Sequence, residues 1–502
     1  MTLGALADAA LHLFTPFNMA IIFGGVTIGV IFGAIPGFTG SNTVAIMLPL
    51  TLTMTPEIAI VFLAAIYVGA NYGAAIPAIL INTPGSSGAA ATVLDAYPLA
   101  KKGMASKSLG ISILASVIGG IFSAIVVILL MPRIGEFTFR FGNREIFVVA
   151  LFGIATVAVA VGDNIKKGLV SGALGLFLAT WPADPSTGQP RMDFGFNALL
   201  DSVPFIPIVI GVFAIAELFS LINQKQISDR EEIKTTYDGV IDGFKYVISR
   251  PFQLARSVFI GTSIGSIPGA DTGVGGFISW STAKSMSSDP DSFGEGNPDG
   301  VIASESANNA VVSGTFVPTL TLGIPGSATT AVMLAGLLLH GIRPGPGLLE
   351  DFSFEITVIL VSVLLANIVL FIVAFMISKY VIRIVTFPSV YLVPGIVVLT
   401  AMGSYVVNRQ LFDIGWMILF GFIGVLMIVN GYSLIPLILG VVLGPILEGA
   451  YLRSMQISRG DHMYFFESNI ALGLWILIAL VLLAKPISNL IGRINFGHKG
   501  DV

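Results

Sequence analysis

Residues 33–43 read GAIPGFTGSNT, and the same pattern returns at residues 265–273 as GSIPGADTG. A second motif follows each of them, NTPGSSG at 82–88 and GIPGSATT at 323–330. The first pair is offset by 232 residues and the second by 241. Two halves that share helices interrupted by glycine and proline are typical of a duplicated carrier. We therefore predict two repeats.

The composition is that of a protein embedded in lipid. Of its 502 residues, 55% are hydrophobic and 11% are charged, whereas about 25% of a soluble domain is charged. A soluble chain of this length needs more polar surface to cover its core. The surplus apolar side chains therefore face something other than water, which predicts an integral membrane protein.

The residue counts exclude several classes of site. The chain has no cysteine, and its four histidines lie far apart, so we expect no disulfide, thiolate metal site or zincin-type site. It lacks the GxxxxGK[ST] loop of nucleotide-driven pumps. The formal net charge of −4 is too small and too dispersed for nucleic-acid binding. We expect neither a nucleotide nor a nucleic acid as a partner.

Apolar segments recur along the whole chain. A spanning helix needs about 20 mostly apolar residues. We predict an all-α polytopic membrane protein with about 12 transmembrane helices in two repeats, each with re-entrant hairpins broken by glycine and proline. The candidate spans are 18–35, 57–81, 108–131, 146–161, 168–181, 204–222, 252–267, 301–322, 354–377, 390–402, 414–429, 434–446 and 470–484.

Four further apolar segments are too short or too often interrupted to span alone. They are 44–54, 85–94, 275–286 and 327–340. Such segments are typical of re-entrant hairpins or half-helices. The predicted organisation is a first repeat at 1–222 with its hairpin core at 33–95, a linker at 223–250, and a second repeat at 251–502 with its hairpin core at 265–341.

Loop charges predict the orientation. Basic residues cluster at 101–107, at 166–167 and along the linker 223–250, whereas the loop 181–201 is mostly acidic. The positive-inside rule places the basic loops and the linker in the cytoplasm. This orientation places the loop 132–144 outside although it contains three arginines, which weighs against the assignment.

The breaks at 33–43 and 265–273 combine flexible backbone with polar side chains. Free amides at a helix start attract anions, and unwound carbonyls beside them can bind Na+. Asp271 adds an ionisable group where such groups are costly. The candidate coupling-ion residues are Gly37, Ser41, Asn42, Thr43, Asn71, Gly269, Asp271 and Thr272. The alternative is that the hydroxyls and amides only cap helices, and that Asp271 is an interfacial loop carboxylate.

The motifs at 82–88 and 323–330 form the tips of the predicted hairpins. In each, proline ends a helix, glycine turns the chain and hydroxyls cap the next helix. Two such tips near mid-membrane would form a donor-rich pocket for carboxylates. The candidate substrate-binding residues are Asn82, Thr83, Pro84, Gly85, Ser86, Ser87, Asn308, Asn309, Pro325, Gly326, Ser327 and Thr329. The alternatives are a structural kink at the tips and interhelical hydrogen bonding by the amides, Asn71 included.

One enzymatic motif also occurs. Residues 85–88 read GSSG, which fits the G-x-S-G motif of intramembrane serine proteases. That reaction needs a histidine base, and His340 alone lies at a comparable depth. The second repeat preserves Pro-Gly-Ser and not G-x-S-G, which disfavours a protease. We do not expect an enzyme.

Together the motifs resemble the large membrane subunit of the tripartite tricarboxylate transporter family. The likeness extends over nearly the whole chain and includes the spacing of the two halves. The matching stretches are GAIPGFTGSNTVAIMLPLT at 33–51, GANYGAAIPAILINTPGSSGAAATVLDAYPLAKKG at 69–103, PGADTGVGGFISWSTAKSMS at 268–287 and NNAVVSGTFVPTLTLGIPGSATTAVMLAGLLLHGIRPGP at 308–346.

The resemblance implies a secondary transporter of the bacterial inner membrane. It implies a small four-helix membrane subunit and a periplasmic solute-binding protein as partners. The implied substrates are small organic anions, such as citrate and other tri- or dicarboxylates, with uptake driven by Na+ or H+. Because no lysine or arginine lies in the hairpin motifs, bound cations and helix dipoles must compensate the substrate charge.

A channel, or a carrier that works without partner proteins, is the alternative. A pore favours continuous rings of like groups, and the sequence shows none. Dependence of uptake on a binding protein separates a stand-alone carrier from a tripartite one.

Overall fold

The computed structural model describes residues 3–160, 165–181, 189, 191–192, 204–223, 235–387 and 389–497. Within these ranges the regular secondary structure is helical and includes no β-strand, which confirms the predicted all-α class. The α-helices are α1 (Leu3–Leu13), α2 (Pro16–Gly33), α3 (Gly40–Met47), α4 (Pro56–Gly73), α5 (Ala75–Ile81), α6 (Ala90–Leu99), α7 (Ala105–Thr138), α8 (Asn143–Ala160), α9 (Ile165–Ala179), α10 (Phe205–Ile210), α11 (Ala216–Asn223), α12 (Tyr237–Ile248), α13 (Pro251–Gly265), α14 (Thr272–Ser285), α15 (Pro298–Gly314), α16 (Phe316–Thr321), α17 (Ala328–Leu339), α18 (Leu348–Asp351), α19 (Ser353–Ser378), α20 (Val381–Val385), α21 (Val393–Asn408), α22 (Leu411–Val429), α23 (Leu434–Ile457) and α24 (Asn469–Gly497). Short 3-10 or π segments lie at Leu48–Thr53, Ser87–Ala89, Ala100–Met104, Gly211–Ile215, Pro290–Ser292, Ser389–Leu392 and His462–Phe466.

Several helical stretches in the described part of the chain are long and apolar enough to cross a membrane unaided. They are Pro16–Gly33, Pro56–Ile81, Ser87–Thr138, Ser353–Ser378, Leu411–Val429 and Leu434–Ile457. Each overlaps a span predicted from the sequence, so the multi-pass prediction is confirmed. Other predicted spans coincide with shorter helices, such as α13 and α21, and most of the loop 181–201 lies outside the described residues.

The chain forms two compact units. The larger consists of Met1–Glu136 and Pro204–Leu426, and the smaller of Phe137–Val203 and Met427–Val502. Both halves of the sequence contribute to each unit. The hairpin cores predicted at 33–95 and 265–341 fall together in the larger unit, which therefore holds all the candidate site residues.

Each hairpin core is built on a tightly packed helix pair. In the first half, α2 lies so close to α4 that a Cβ on Gly33 would be 2.9 Å from the Cα of Ala70. In the second half, α13 approaches α15 so that a Cβ on Gly265 would be 3.0 Å from the Cα of Gly314. Small residues allow this approach, which matters in lipid because no hydrophobic force drives helices together there. Gly33 and Gly265 are equivalent at the 232-residue offset, so the repeat produces the same packing twice.

The short helices of the two halves pack crosswise. Helix α3 of the first half contacts α17 of the second, and α14 of the second half contacts α6 and the turn Ser87–Ala89 of the first. Helices α4 and α15 contact each other between these crossed pairs. This arrangement brings the breaks of each half to the tips of the other.

The described part of the linker is a helix. Residues 224–234 lie outside the described residues, and α12 follows, capped by the hydroxyl of Thr236, which accepts the backbone N–H of Gly239 at 3.3 Å. The ring of Phe244 packs on Phe371 of α19 with centroids 5.4 Å apart. The linker is thus attached to the larger unit by apolar contacts.

In the smaller unit, α8, α9, α23 and α24 form their own core. Val148 and Ala155 of α8 are buried with Ala471 and Ile478 of α24. Helices α9 and α23 approach closely at Gly440, where a Cβ would be 2.8 Å from the carbonyl carbon of Gly175. No candidate site residue lies in this unit.

Candidate functional site

The first break is a capped helix start. Gly37 has a φ of 85°, which lets the chain turn between α2 and α3. Thr39 is the N-cap of α3; its hydroxyl accepts the backbone N–H of Asn42 at 3.3 Å and pairs with the Ser41 hydroxyl at 2.8 Å. The side chains of Ser41, Asn42 and Thr43 are buried. The predicted capping role is therefore present, and it leaves polar groups inside the fold.

The second break has the same form with a carboxylate as its cap. Gly269 has a φ of 73°, and its backbone N–H donates to the carbonyl of Pro325 at 3.2 Å. Asp271 is the N-cap of α14 and accepts the backbone N–H of Thr272 at 2.8 Å. Among the described residues, no lysine or arginine forms an ion pair with Asp271. The carboxylate is therefore stabilised by a helix start rather than by a cationic side chain.

The first tip is partly exposed. Helix α5 ends at Asn82, which has a φ of 57°, a conformation that asparagine tolerates at helix ends. The backbone N–H of Gly85 donates to the carbonyl of Ala74 at 3.0 Å and closes the turn. The Oγ of Ser86 is buried without a hydrogen-bond partner in the described structure. The exposed residues of this tip are Asn82, Thr83, Pro84 and Ser87.

The second tip is buried. Ser327 and Thr330 form a capping box at the start of α17: the N–H of Thr330 donates to the Ser327 hydroxyl at 3.2 Å, and the N–H of Ser327 to the Thr330 hydroxyl at 2.9 Å. The N–H of Gly326 donates to the hydroxyl of Thr319 at 3.2 Å. Pro325, Gly326, Ser327 and Thr329 are all buried. The two tips thus have related sequences but different exposure.

The first tip meets the second break, and we call this the first crossed contact. The Ser87 hydroxyl donates to the Asp271 carboxylate. Gly88 lies so close to Thr272 that an added Cβ would be 3.0 Å from the Thr272 Cβ, and it would also collide with Oδ1 of Asn308. Asn308 is 0% exposed, and neither atom of its amide has a hydrogen-bond partner among the described residues. Because buried polar groups are normally paired, this amide is a candidate for ligand binding.

The second tip meets the first break, and we call this the second crossed contact. The hydroxyls of Tyr67, on α4, and Ser327 are 2.9 Å apart. A Cβ on Gly40 would lie 3.0 Å from the Thr329 hydroxyl and 3.6 Å from the Tyr67 ring. Here the candidate side chains Ser327 and Thr329 already have protein neighbours.

The two crossed contacts are related by the repeat. Gly40 and Thr272 are equivalent at the 232-residue offset, and Gly88 and Thr329 are equivalent at the 241-residue offset. Each contact therefore pairs one glycine with one threonine. The glycine lies on the tip in the first contact and on the break in the second. The combined volume of this glycine–threonine pair is therefore the same in both contacts.

Two of the predicted amides bind each other. Nδ2 of Asn71 donates to Oδ1 of Asn309 at 2.6 Å, and both residues are buried. This bond joins α4 to α15 and corresponds to the interhelical alternative. Asn309 keeps an unpaired Nδ2 within the described structure, so one donor stays available beside Asn308.

The candidate coupling-ion residues do not converge on one point. Nδ2 of Asn42 donates to the Glu217 carboxylate of α11 at 2.9 Å. Asn71 pairs with Asn309, and Asp271 pairs with Ser87. The structure thus distributes these residues over the first break, the helix pair α4 and α15, and the first crossed contact.

The serine-protease geometry is not formed. Nε2 of His340 lies 3.0 Å from the hydroxyl of Thr51. Ser87 pairs with Asp271, and Ser86 has no partner among the described residues. Among the histidines that the structure describes, none therefore pairs with either serine as the base that the reaction needs.

Sequence reasoning missed Tyr67 as a site residue. Tyr67 and Asn308 are equivalent at the 241-residue offset, and each lies at a crossed contact. Comparing the repeats position by position would have found it. Glu217 gave no such signal, since its contact with Asn42 joins residues 175 positions apart.

The crossed contacts offer hydroxyls, amides and helix-start N–H groups around a single carboxylate. Such donors bind carboxylates. The described residues include no group of three or more His, Asp or Glu able to hold a metal ion, which argues against a multi-carboxylate divalent site there.

Comparison with known proteins gives the family. Residues 19–439 match the Tripartite tricarboxylate transporter TctA family. The chain is 35% identical over 463 residues to an uncharacterized 52.8 kDa protein in the TAR-I ttuC' 3'region of Agrobacterium vitis, a match that covers 92% of this chain and 91% of the relative. It is 36% identical over 230 residues to an uncharacterized protein in the TAR-II ttuC' 3'region of the same organism, covering 45% of this chain and 95% of the relative. No solved structure matches.

The family match confirms the resemblance that the Gly/Pro motifs indicated. It covers both hairpin cores and both crossed contacts. With its membrane-crossing helices, this multi-pass membrane protein belongs to the TctA family of tripartite tricarboxylate transporters.

Proposed function

We propose that this protein is the large membrane subunit of a secondary transporter that takes up tricarboxylates such as citrate, or related carboxylates, across the bacterial inner membrane. An inward Na+ or H+ gradient drives uptake. A periplasmic solute-binding protein delivers the substrate, and a small four-helix membrane subunit completes the complex. The observation that carries the proposal is the first crossed contact, with its unpaired Asn308 amide.

The first crossed contact supplies donors for a carboxylate. The amide of Asn308 is buried and unpaired among the described residues, and leaving such a group without a partner costs about 1–3 kcal/mol. A substrate carboxylate that accepts from its Nδ2 removes the part of this cost that belongs to the donor, while Oδ1 stays unpaired among the described residues. The exposed Ser87 adds a hydroxyl donor at the same place once a cation at Asp271 replaces the hydrogen bond that Ser87 donates to that carboxylate.

The neighbouring Asp271 explains why the substrate needs a cation. The Ser87 hydroxyl joins Asp271 to the first tip, so an anionic substrate bound there lies close to a second negative charge. Like charges at this range repel strongly where water is excluded. A cation bound near Asp271, with help from Thr272 and the carbonyls around Gly269, cancels the repulsion. Substrate and cation therefore bind together, which is the requirement for symport.

The difference between the tips supports alternating access. The first tip exposes Ser87, whereas Ser327 and Thr329 of the second tip are buried. We take this conformation to be one in which substrate reaches the site beside the first tip. Transport then requires the hairpin core to move relative to its surroundings, as in other carriers built from repeats.

Transport in proteoliposomes tests the proposal. The protein is reconstituted with its small membrane subunit, and uptake of labelled citrate from a cognate binding protein is measured with an inward Na+ gradient, an inward H+ gradient, and neither. We expect gradient-driven uptake that stops without the binding protein. Asn308→Ala and Ser87→Ala should raise the KM for citrate about tenfold, since each loses a bond worth about 1–1.5 kcal/mol.

Thr282→Ala is the matched control. Thr282 lies on α14, and its exposed hydroxyl donates to the Ile278 carbonyl of its own helix at 2.7 Å. Its removal should leave the KM unchanged. Uptake that does not depend on the binding protein would indicate a stand-alone carrier. Failure to take up any carboxylate would refute the proposed substrate class.

A further inference from the structure

Glu305 is a fully buried carboxylate on α15. Its Oε2 accepts hydrogen bonds from the hydroxyls of Ser112 at 2.9 Å and Ser116 at 2.8 Å. The Thr92 hydroxyl donates to Oε1 and lies 3.1 Å from the hydroxyl of Ser304. No lysine or arginine of the described chain forms an ion pair with Glu305. A carboxylate in such surroundings is costly unless a positive charge or a proton compensates it.

A second buried carboxylate, Asp95, has a hydrogen-bonding shell of a different kind. Asp95 lies one turn beyond Thr92 on α6 and is also 0% exposed. Its partners are all N–H groups: the backbone amides of Gly294, Gly296 and Asn297 at 2.7–3.0 Å and the indole of Trp280 at 2.6 Å. An N–H group only donates, so this shell matches a group that accepts at both oxygens and offers no acceptor for a proton or a cation.

The partners of Glu305 differ in chemistry, since all of them are hydroxyls. A hydroxyl can donate to a carboxylate, accept from a carboxylic acid, or offer its oxygen to a small cation. The same shell therefore serves Glu305 in its charged, protonated and cation-bound states. Only rotation of the Ser112, Ser116 and Thr92 hydroxyls is needed to change between them.

Charged groups on the surrounding helices do not fix the state of Glu305. Tyr72 on α4 is a titratable side chain close enough to interact electrostatically with Glu305. Five charged groups on other helices packed around α15 have partners of their own: Asp95 on α6 with four N–H donors, Lys107 on α7 over the Tyr246 ring, Arg256 on α13 with Gln253, Asp271 on α14 with Ser87, and Lys284 on α14 over the Trp280 ring. The remaining charged groups on these helices are Glu57 on α4 and Arg133 and Glu136 on α7.

The Glu305 cluster adjoins the first crossed contact. Asn308, with its unpaired amide, lies one turn further along α15, so both residues are on one face of the helix. Thr92 lies one turn beyond Gly88 on the segment that follows the first tip. Movement of either α15 or that segment changes the hydroxyl shell around Glu305. The first repeat has Ala64 at the equivalent position, so only the second half supplies a carboxylate here, while the first half supplies the hydroxyls of Thr92, Ser112 and Ser116.

We propose that Glu305 takes up a coupling cation, a proton or Na+, in each transport cycle, in addition to the cation that neutralises Asp271. This rests on the proposed function. The cation binds to a Glu305 carboxylate oxygen from one side of the membrane, together with substrate at the first crossed contact. It leaves to water on the other side once the contact between α15 and the first tip has rearranged.

Glu305→Gln tests the proposal because glutamine keeps the shape and cannot take up or release a cation. Two activities are compared in proteoliposomes: steady-state accumulation of citrate under a tenfold inward gradient at clamped potential, and exchange of citrate without any gradient. Loss of one coupled cation should lower the accumulation ratio about tenfold, the equivalent of about 1.4 kcal/mol, while exchange stays within about threefold of wild type. Separate Na+ and H+ gradients identify the cation.

Asp299→Asn is the matched control, because Asp299 lies on the same helix and pairs at its outer end with Arg250 at 3.2 Å. It should leave both activities unchanged. If Glu305→Gln accumulates citrate as wild type does, or loses exchange together with accumulation, the proposal is wrong and Glu305 is structural. If this variant does not fold, Ser112→Ala/Ser116→Ala replaces it, and an unaltered cation concentration dependence overturns the proposal. Absence of gradient-driven uptake by the wild type would instead refute the proposed function.

Discussion

Gly88→Ala tests directly whether the first crossed contact must close during transport. The added Cβ would collide with Oδ1 of Asn308 and lie 3.0 Å from the Cβ of Thr272. Both neighbours are almost fully buried, so neither can turn aside freely. Forcing a methyl group into a packed contact costs about 1–3 kcal/mol. The closed contact is destabilised by this amount relative to any conformation in which the tip and the break separate.

The magnitude differs between transport and folding. A shift of 1–3 kcal/mol between two folded conformations changes their ratio by about 5–150-fold. The rate of uptake at low citrate should therefore decrease by a factor in this range. In thermal unfolding, the loss is partly offset because alanine restricts the unfolded chain, a gain of about 0.4–1 kcal/mol. We therefore expect a large effect on uptake and a smaller one on the melting temperature.

Gly24→Ala is the matched control, since an added Cβ on Gly24 of α2 has no atom within 4 Å. Adding Asn308→Ala to Gly88→Ala removes one of the two collisions and should restore part of the melting temperature, measured as a double-mutant cycle. Uptake by Gly88→Ala within twofold of Gly24→Ala would refute the reasoning, because the contact would then not be part of the transport cycle.

Three further substitutions test the buried polar network by thermal unfolding. Asp95→Ala leaves its N–H donors unpaired and should lower the free energy of unfolding by about 1–3 kcal/mol for each donor that water does not reach. Tyr67→Phe removes the 2.9 Å bond to Ser327 and should cost only about 1 kcal/mol, because Ser327 keeps its capping partner. Asn71→Leu leaves the carbonyl of Asn309 unpaired and should cost about 1–3 kcal/mol, most of which the double variant Asn71→Leu/Asn309→Leu recovers.

Each of these substitutions has an outcome that contradicts it. Asp291→Asn, at an exposed position of the loop that donates to Asp95, should leave the melting temperature unchanged. If Asp95→Ala is as stable as this control, the N–H groups around Asp95 do not contribute to stability. A loss well above 1 kcal/mol for Tyr67→Phe would mean that the capping box does not hold Ser327 alone. If the double variant at Asn71 and Asn309 is no more stable than Asn71→Leu, the amide pair is not the cause of the loss.

Local chemistry made much of the fold predictable. The excess of apolar residues indicated the membrane, and the glycine and proline motifs marked where helices end. Thr39, Asp271 and Ser327 each cap a helix that begins at the next residue. Capping depends on neighbours within one turn of the chain, so the sequence alone was sufficient for it.

The partners of the site residues were not predictable in the same way. Ser87 meets Asp271 across 184 residues, and the hydroxyl partners of Glu305 lie 189 to 213 residues from it. The repeat indicated that two tips and two breaks exist, but it did not say which tip meets which break. Likewise, the sequence pattern around Glu305 does not show whether the partners of this carboxylate are hydroxyls or a cationic side chain.

The sequence by itself therefore determined the membrane class, the duplication and the positions at which the helices break, because these depend on composition and on contacts within a turn. Only the tertiary structure decided that the halves cross and that Asn42 donates to Glu217 while Asn308 stays unpaired among the described residues. It also decided that the described hydrogen-bond donors to Glu305 are hydroxyls. These features depend on how distant helices pack, and packing is a property of the whole fold.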